Sequence, residues 1–457
     1  MRYVTTILQL LRLMSLADAI GTGARKHAYG TTSEGFLKAD PSHTSKLEII
    51  PKSLLIGTSP ETEGQVLKYR ATDSPSLSIK IVNNFNSADI RAYVSGLDAD
   101  GKVFFVRDNG ELVYPKSKEI HVASEITEDI ALHLGPQDQP REVPLPSYIR
   151  SGRVYFADSD LRFFVVNKGD GDSVVQPSVT NLQDPNANVN WGFVELTYMN
   201  DSLYANISYV DFVGIVLGMM LTERDGNTQT TAGLVADAVT KICDDLVKQK
   251  KNDGRDWATL CVANAEGRPV RVLSPGNRHD LDSQLFGNYW DAYVNQVWTE
   301  YTNKDLIINT QTSAGRVKCK VSGSQLVCEG SNRGFAKPNA KDILGCDSGP
   351  FAIMEGDNPV HTAIVPRLCA AFVRSTLLLE GGDTQPALNQ SSYYTVSPTN
   401  HYSRIVHSYE VDGRGYAFPY DDVNPDGNED ASGVVSSNDV HSLTIYVGAP
   451  PTHNQHH

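Results

Sequence analysis

The chain has 457 residues, 40% of them hydrophobic and 21% charged. That supplies apolar material for sizeable cores and suggests two or three domains, or one large discontinuous fold. A net charge of −14 and a pI near 5.3 argue against a nucleic-acid or anionic-membrane surface and fit a neutral partner such as a polysaccharide.

The chain opens with the pattern of a secretion signal. Arg2 supplies a basic start, Ile7 to Leu16 is mostly apolar, and Ala17-Asp18-Ala19 is a small-x-small cleavage candidate. Arg12 interrupts the apolar run, and an amphipathic helix is the alternative reading. Residues 1–19 are taken as a signal peptide, and the protein as secreted. No other stretch approaches the ~20 apolar residues of a membrane span, so a soluble mature protein is expected. Residues 20–45 are small, polar and glycine-containing, and read as a flexible or processed segment.

Short strands dominate from Leu47 onward. Leu77–Val82, Ile90–Val94, Val103–Val106, Arg153–Phe156 and Leu161–Val166 are β-rich runs separated by Asn, Asp and Gly turns. The character changes near Gly218. Leu234, Val235, Val239, Ile242 and Leu246 lie close to helical spacing within a candidate helix from Ala232. Leu285–Tyr301 and Leu368–Leu379 are two more helix candidates, the last placed after Pro366 and before Gly381. Strands are predicted again at Arg404–Tyr409, Gly415–Phe418 and Ser442–Val447. This order predicts a mainly β chain: a β-sandwich from residues 46–218 plus 400–449, with a mixed α/β domain inserted at 219–399 and a disordered tail at 450–457. A cleft between two such bodies is a common place for a site.

Cys243, Cys261, Cys319, Cys328, Cys346 and Cys369 are an even set, and in a secreted chain that favours disulfides. Sequence-local pairing suggests 243–261, 319–328 and 346–369. The middle pair is the best supported, because Val317–Cys328 reads as two alternating strands around a Ser-Gly-Ser turn. The spacings match no Cys-rich zinc pattern. Sequons stand at Asn200, Asn206 and Asn389, and Asn206 is expected to be unmodified because a glycan there would obstruct the residues discussed next.

Glu195, in Phe-Val-Glu-Leu-Thr-Tyr, and Asp211, in Tyr-Val-Asp-Phe-Val-Gly, each lie in an apolar, β-prone stretch. A charge there costs free energy unless it is paired or put to use. Alternation puts Glu195 and Thr197 on one face, with Val194 and Leu196 on the other. If the turn covers 199–202, Tyr198 pairs with Leu203, Glu195 faces Asn206, and Thr197 faces Tyr204. The shared face then carries an acid, hydroxyls, an amide and a ring, the inventory of a sugar-binding surface. Asp211 does not fit this register. On a straight strand it would lie ~16 Å from the Glu195 pair position. Two acids that cleave a glycosidic bond stand ~5–9.5 Å apart. A bend, a bulge or a longer loop must therefore intervene. The alternative is that both acids merely pair with arginines or cap turns.

The run from Phe193 to Gly218 resembles the core of glycoside hydrolase family 64. Leu77–Tyr93, Ser151–Phe156, Phe335–Phe351, Cys369–Leu378 and Tyr416–Val423 are similar to other segments of that family, and the resemblance covers roughly residues 45–450. It implies a secreted β-1,3-glucanase with a thaumatin-like β-sandwich. It further implies Glu195 as general acid, Asp211 as general base, and inversion at the anomeric centre. Thr197, Tyr204, Asn206 and Ser208 would contact glucose. Met199 is less polar than the family pattern suggests. No metal or organic cofactor is expected; the partner would be a β-1,3-glucan, and the protein a monomer. The rival reading is a noncatalytic thaumatin-like glucan-binding protein.

Four further features are read as structural. Gly345-Cys-Asp-Ser-Gly-Pro lacks the context of a serine-protease triad. Lys168-Gly-Asp-Gly-Asp-Ser lacks calcium-loop spacing and reads as a turn. Asp421 and Asp422 are expected to pin a turn after Pro419 rather than line the cleft. Tyr289, Trp290, Trp298 and Tyr301, at helical spacing, are expected in a core.

Overall fold

The computed structural model describes residues 30–41, 55–56 and 77–448, except 86, 88, 138, 147, 170, 200 and 426–431. The signal-peptide and C-terminal-tail assignments lie outside the described residues.

The chain is mainly β. An antiparallel sheet runs in the order Val434–Ser437, Ser202–Ile207, Trp191–Met199, Tyr148–Ala157, Arg91–Leu97, Val103–Val106 and Leu112–Val113. A second sheet runs Thr228–Thr231, Leu217–Glu223, Val440–Val447, Ser78–Asn83 and Pro140–Pro144. The first sheet presents Val94, Phe104, Val154, Phe156, Val194, Leu196 and Ala205 to the second, which answers with Ile79, Ile81, Leu221, Leu443 and Ile445. All are buried, and their period of two is the alternation legible in the sequence. The last strand lies between Leu217–Glu223 and Ser78–Asn83, so the C-terminus closes the body that the early strands begin.

The opposite face of the first sheet is divided, and this division positions the site. Over one half, Tyr93, Phe105, Tyr155 and Trp191 are packed under Phe163 and under Val165 and Val174 of a small third sheet. That cover stops at Val175, leaving Glu195, Thr197, Tyr204 and Ser436 uncovered.

Helices cluster in the middle of the chain. Ala238–Asp253 buries Val239, Ile242, Cys243 and Leu246. It starts later than the spacing suggests, because Leu234 bridges to Glu410 and Asp237 takes a left-handed turn. Asp291–Asn303 buries Val294, Val297, Trp298 and Tyr301. Pro359–Val373 runs through Pro366 instead of starting after it; Asn358 caps it by accepting from the His361 N–H, and Pro359 takes the first position, where a missing N–H costs nothing. Cys261–Ala263 and Pro269–Leu273, from the middle region, pair with Phe212–Val213 and with Leu37–Lys38. One continuous cluster of buried residues joins the sandwich to the helices.

Three local expectations are corrected. Residues 30–41, inside the segment read as flexible, carry a strand and bury Phe36, Leu37 and Ala39. Arg404–Tyr409 is not a strand: His401–His407 is a helix, capped by the Asn400 side chain on the Ser403 N–H. Gly415–Phe418 is likewise no strand and makes only a bridge from Tyr416 to Ser208. In both segments β-prone residues are overruled by packing against the sandwich.

The three disulfides join 243–261, 319–328 and 346–369, as the spacing suggested. Cys319 lies directly across from Cys328 in the hairpin of Arg316–Ser322 and Gln325–Cys328.

Candidate active site

Along Trp191–Met199, Val194, Leu196 and Tyr198 are buried, while Phe193, Glu195, Thr197 and Met199 are partly open. The neighbouring strand pairs in the expected register: Glu195 with Asn206, Thr197 with Tyr204, Tyr198 with Leu203. The turn closes with Met199 opposite Ser202 and with Asp201 at a φ of 61°. The edge strand places Ser436 beside Tyr204. Glu195, Thr197, Tyr204 and Ser208 are therefore accessible along one strip, whereas Asn206 is 2% exposed and forms its floor. That burial fits the expectation that Asn206 carries no glycan.

On the other side of Glu195 stands Arg153, directly across the sheet. Its Nη2 donates to Glu195 Oε1 at 3.0 Å. The guanidinium lies 4.4 Å over the Phe193 ring and also donates to Gln176, the residue that follows the last covering strand. The alternative that Glu195 pairs with an arginine is thus correct as geometry. Arg153 itself was legible only as part of a family-like segment. It follows a bulge between Ile149 and Gly152, where Ser151 takes a φ of 48°. Burial opposes the Arg153 charge, but Tyr155, Glu195 and Asp211 outweigh it and hold its pKa above the ordinary value.

Asp211 reaches this place by leaving the sheet. Ser202–Ile207 ends before it, residues 208–211 bend, and Phe212–Val213 pairs with Val272–Leu273 instead. The straight strand that would carry Asp211 away is therefore broken. Gly214 lets the returning chain cross against the start of the Trp191 strand; a Cβ added there would lie 1.9 Å from the Trp191 carbonyl oxygen. Phe212 packs 4.7 Å from Trp191, centroid to centroid. The Asp211 carbonyl accepts from the Ser274 N–H and from Asn277 Nδ2, each at 2.9 Å. A cavity of about 20 Å³ under the bend, lined by Phe193, Ser208 and Tyr209 among others, has room for a water but not a sugar.

Asp211 is an exposed residue, yet the surrounding protein mass raises its carboxyl above the usual value. The Arg153 charge lowers it, Glu195 raises it, and Asn277 lowers it. Both carboxylates therefore act on one buried guanidinium, and the Glu195 charge raises Asp211. Replacing Arg153 by Met is expected to cost stability near the low end of the ~3–5 kcal/mol for breaking a buried pair, because Glu195 keeps some solvent. It also removes the charge that lowers the Asp211 pKa. The acid limb of the kcat/KM profile should then move to higher pH, since ionised Asp211 would be lost sooner on acidification. A pH–rate profile and a denaturant melt check both.

The features set aside remain structural. Ser348 donates to Asp342, and Cys346 is in a disulfide. Lys168, Gly169 and Gly171 lie between the paired strands Phe164–Asn167 and Asp172–Val175. Asp421 is 1% exposed and accepts from the Ala417 N–H, pinning that turn. Trp290, Trp298 and Tyr301 are core residues, and Tyr289 is partly buried against them. Among the described residues, no three His, Cys, Asp or Glu side chains gather to hold a metal, and no helix is long and apolar enough to cross a membrane.

The packed β-sandwich thus carries an accessible polar strip with Glu195, Thr197, Tyr204 and Ser208, and Asp211 stands in the bend beyond it, within the charge field of Glu195 and Arg153. The profile of the family described as beta-1,3-glucanase, glycoside hydrolase 64, matches residues 75–447, and the chain belongs to that family. Glucan endo-1,3-beta-glucosidases of Cellulosimicrobium cellulans and of Arthrobacter sp. (strain YCWD3) are each 28% identical over 295 residues, covering 62% of this chain and 51% of theirs. The chain thus spans about half the length of these curated relatives. The crystal structure of a laminaripentaose-producing beta-1,3-glucanase in complex with laminaritetraose superimposes with a TM-score of 0.71 at 25% identity, over 82% of this chain and 99% of that one. A beta-1,3-glucanase domain from Clostridium beijerinckii has the same fold, with a TM-score of 0.60 at 23% identity over 82% of this chain and 99% of that one.

Proposed function

We propose that this protein is a secreted β-1,3-glucanase that hydrolyses its substrate with inversion. The carrying observation is the return of Asp211 to the charge field of Glu195 and Arg153 at the edge of an open polar strip. Family membership and the activity of the relatives support the substrate class. The sandwich is taken to be thaumatin-like, with residues 219–399 inserted, and the protein to act as a monomer without a metal or organic cofactor.

A β-1,3-glucan lies along the strip, in contact with Thr197, Tyr204, Asn206 and Ser208. Glu195 gives a proton to the glycosidic oxygen as its bond to the anomeric carbon breaks. Asp211 takes a proton from a water, whose oxygen bonds the opposite face of that carbon. Phe193 and Phe212, beside the acids, keep the surroundings apolar.

One observation favours the converse roles. Glu195 is bonded to a guanidinium, whereas Asp211 has the raised carboxyl, which suits an acid. The amide variants argued in the Discussion separate the two assignments.

Proton NMR of laminari-oligosaccharide hydrolysis tests the reaction course. The first-formed product should be the α-anomer, with β appearing later by mutarotation. A β-anomer formed first would overturn inversion. Glucan binding with no new reducing ends would support the noncatalytic alternative.

A further inference from the structure

We propose that Tyr402 is a positioning residue for Asp211, acting through the Tyr209 peptide; this rests on the reading of Asp211 as the base. Tyr402 is 0% exposed, and its hydroxyl donates to the Tyr209 carbonyl at 2.5 Å. The Tyr209 N–H donates to the Tyr416 carbonyl at 2.7 Å. The peptide groups on both sides of Tyr209 are therefore held, two residues before Asp211. Beyond the bend, Ser274 and Asn277 hold the Asp211 carbonyl. The backbone that carries Asp211 is therefore held from both directions.

The helix His401–His407 supplies this clamp as one unit. Tyr402 grips Tyr209 directly. Ser403 Oγ donates to the Ala417 carbonyl at 3.0 Å, holding the segment whose Tyr416 carbonyl receives the Tyr209 N–H. At the end of the helix, His407 Nδ1 lies 2.9 Å from Glu410 and its Nε2 lies 2.9 Å from Asp421. Asp421 also bonds Arg374 at 2.9 Å and accepts from the Ala417 N–H at 2.8 Å. A buried ion network thus fixes the platform, and the phenol transmits its position to the bend.

Removing the phenol oxygen deprives the Tyr209 carbonyl of its donor in a dry setting, where a lost bond is expensive. The bend can then relax, and a shift near 1 Å at a catalytic group costs rate far more than binding. A positioning role has a distinct chemical signature in an inverting enzyme. Azide needs no base: its nitrogen bonds the anomeric carbon as the glycosidic bond breaks, and Glu195 still gives its proton to the departing oxygen.

The experiment measures kcat and KM on laminarin for Y402F, S403A, D211A and E195Q, with and without sodium azide. Y402F should lose about 10–100-fold in kcat, with KM within about twofold of the parent. Azide should recover activity in Y402F and D211A, giving an α-glucosyl azide, but not in E195Q. S403A should give the same signature more weakly and serves if Y402F does not fold. If D211A responds to azide while folded Y402F and S403A keep full kcat, or lose it without azide recovery, Tyr402 is only structural and the inference is overturned alone. If D211A keeps normal hydrolysis, or only Glu195 variants respond to azide, the role of Asp211 falls and this inference falls with it.

Discussion

Glu195→Gln should abolish laminarin hydrolysis by about 10²–10⁴-fold while leaving glucan binding within a few-fold. The amide keeps the shape of the side chain and can still accept from Arg153, but it has no proton to give to the glycosidic oxygen. The loss should shrink on a glucosyl fluoride of the same linkage, because fluoride leaves without protonation. Calorimetry on an unhydrolysed laminari-oligosaccharide measures binding, and reducing-end release measures rate. Normal hydrolysis of laminarin by the variant would exclude Glu195 as the acid. If the loss is as great on the fluoride and azide restores the rate of Glu195→Ala, the two acids have exchanged roles.

Asp211→Asn should show a similar loss of rate, but with no dependence on the leaving group, because the missing step is activation of water. Its stability should respond in the opposite sense to its activity. The folded carboxyl is raised, chiefly because the surrounding protein mass weakens its solvation, so the unfolded chain releases this proton more readily than the folded one. Folding is therefore disfavoured as pH rises from the unfolded carboxylate pKa through the raised folded value, and the cost is present at neutral pH. Asparagine removes it, so the variant should melt no lower than the parent at pH 7, with its relative advantage fading toward acid. Solvent access at Asp211 keeps the effect modest. A melting temperature clearly below that of the parent at neutral pH would contradict this account.

The two acids differ in how they are supported, and this explains why one was easier to read. Glu195 sits within a regular hairpin. Its neighbours Thr197, Tyr204 and Asn206 follow from alternation and a tight turn, and the observed pairing is the one the sequence implies. Asp211 depends on where a strand stops, and nothing in Tyr209–Gly214 states that. The strand ends because Tyr416 takes the Tyr209 N–H and Leu273 takes Phe212 as a partner. Both partners are far away along the chain, and neither segment is conspicuous by composition. Arg153 is hidden for the same reason, since an arginine in a β-run is ordinarily read as solvent-facing.

Within the sequence alone lay the properties that neighbouring residues decide. These were the mainly β character, the face that Glu195 shares, the short-span disulfides and the family resemblance. They follow from the period of two along a strand and from short loops, where the entropy of closure is small. Only the tertiary structure decided that the covering sheet stops short of Glu195, that Arg153 binds Glu195 and also feels the charge of Asp211, and that a helix at His401–His407 clamps the bend before Asp211. Those facts arise from contacts between distant segments, whose burial overrides local preference and leaves no periodic mark on the chain.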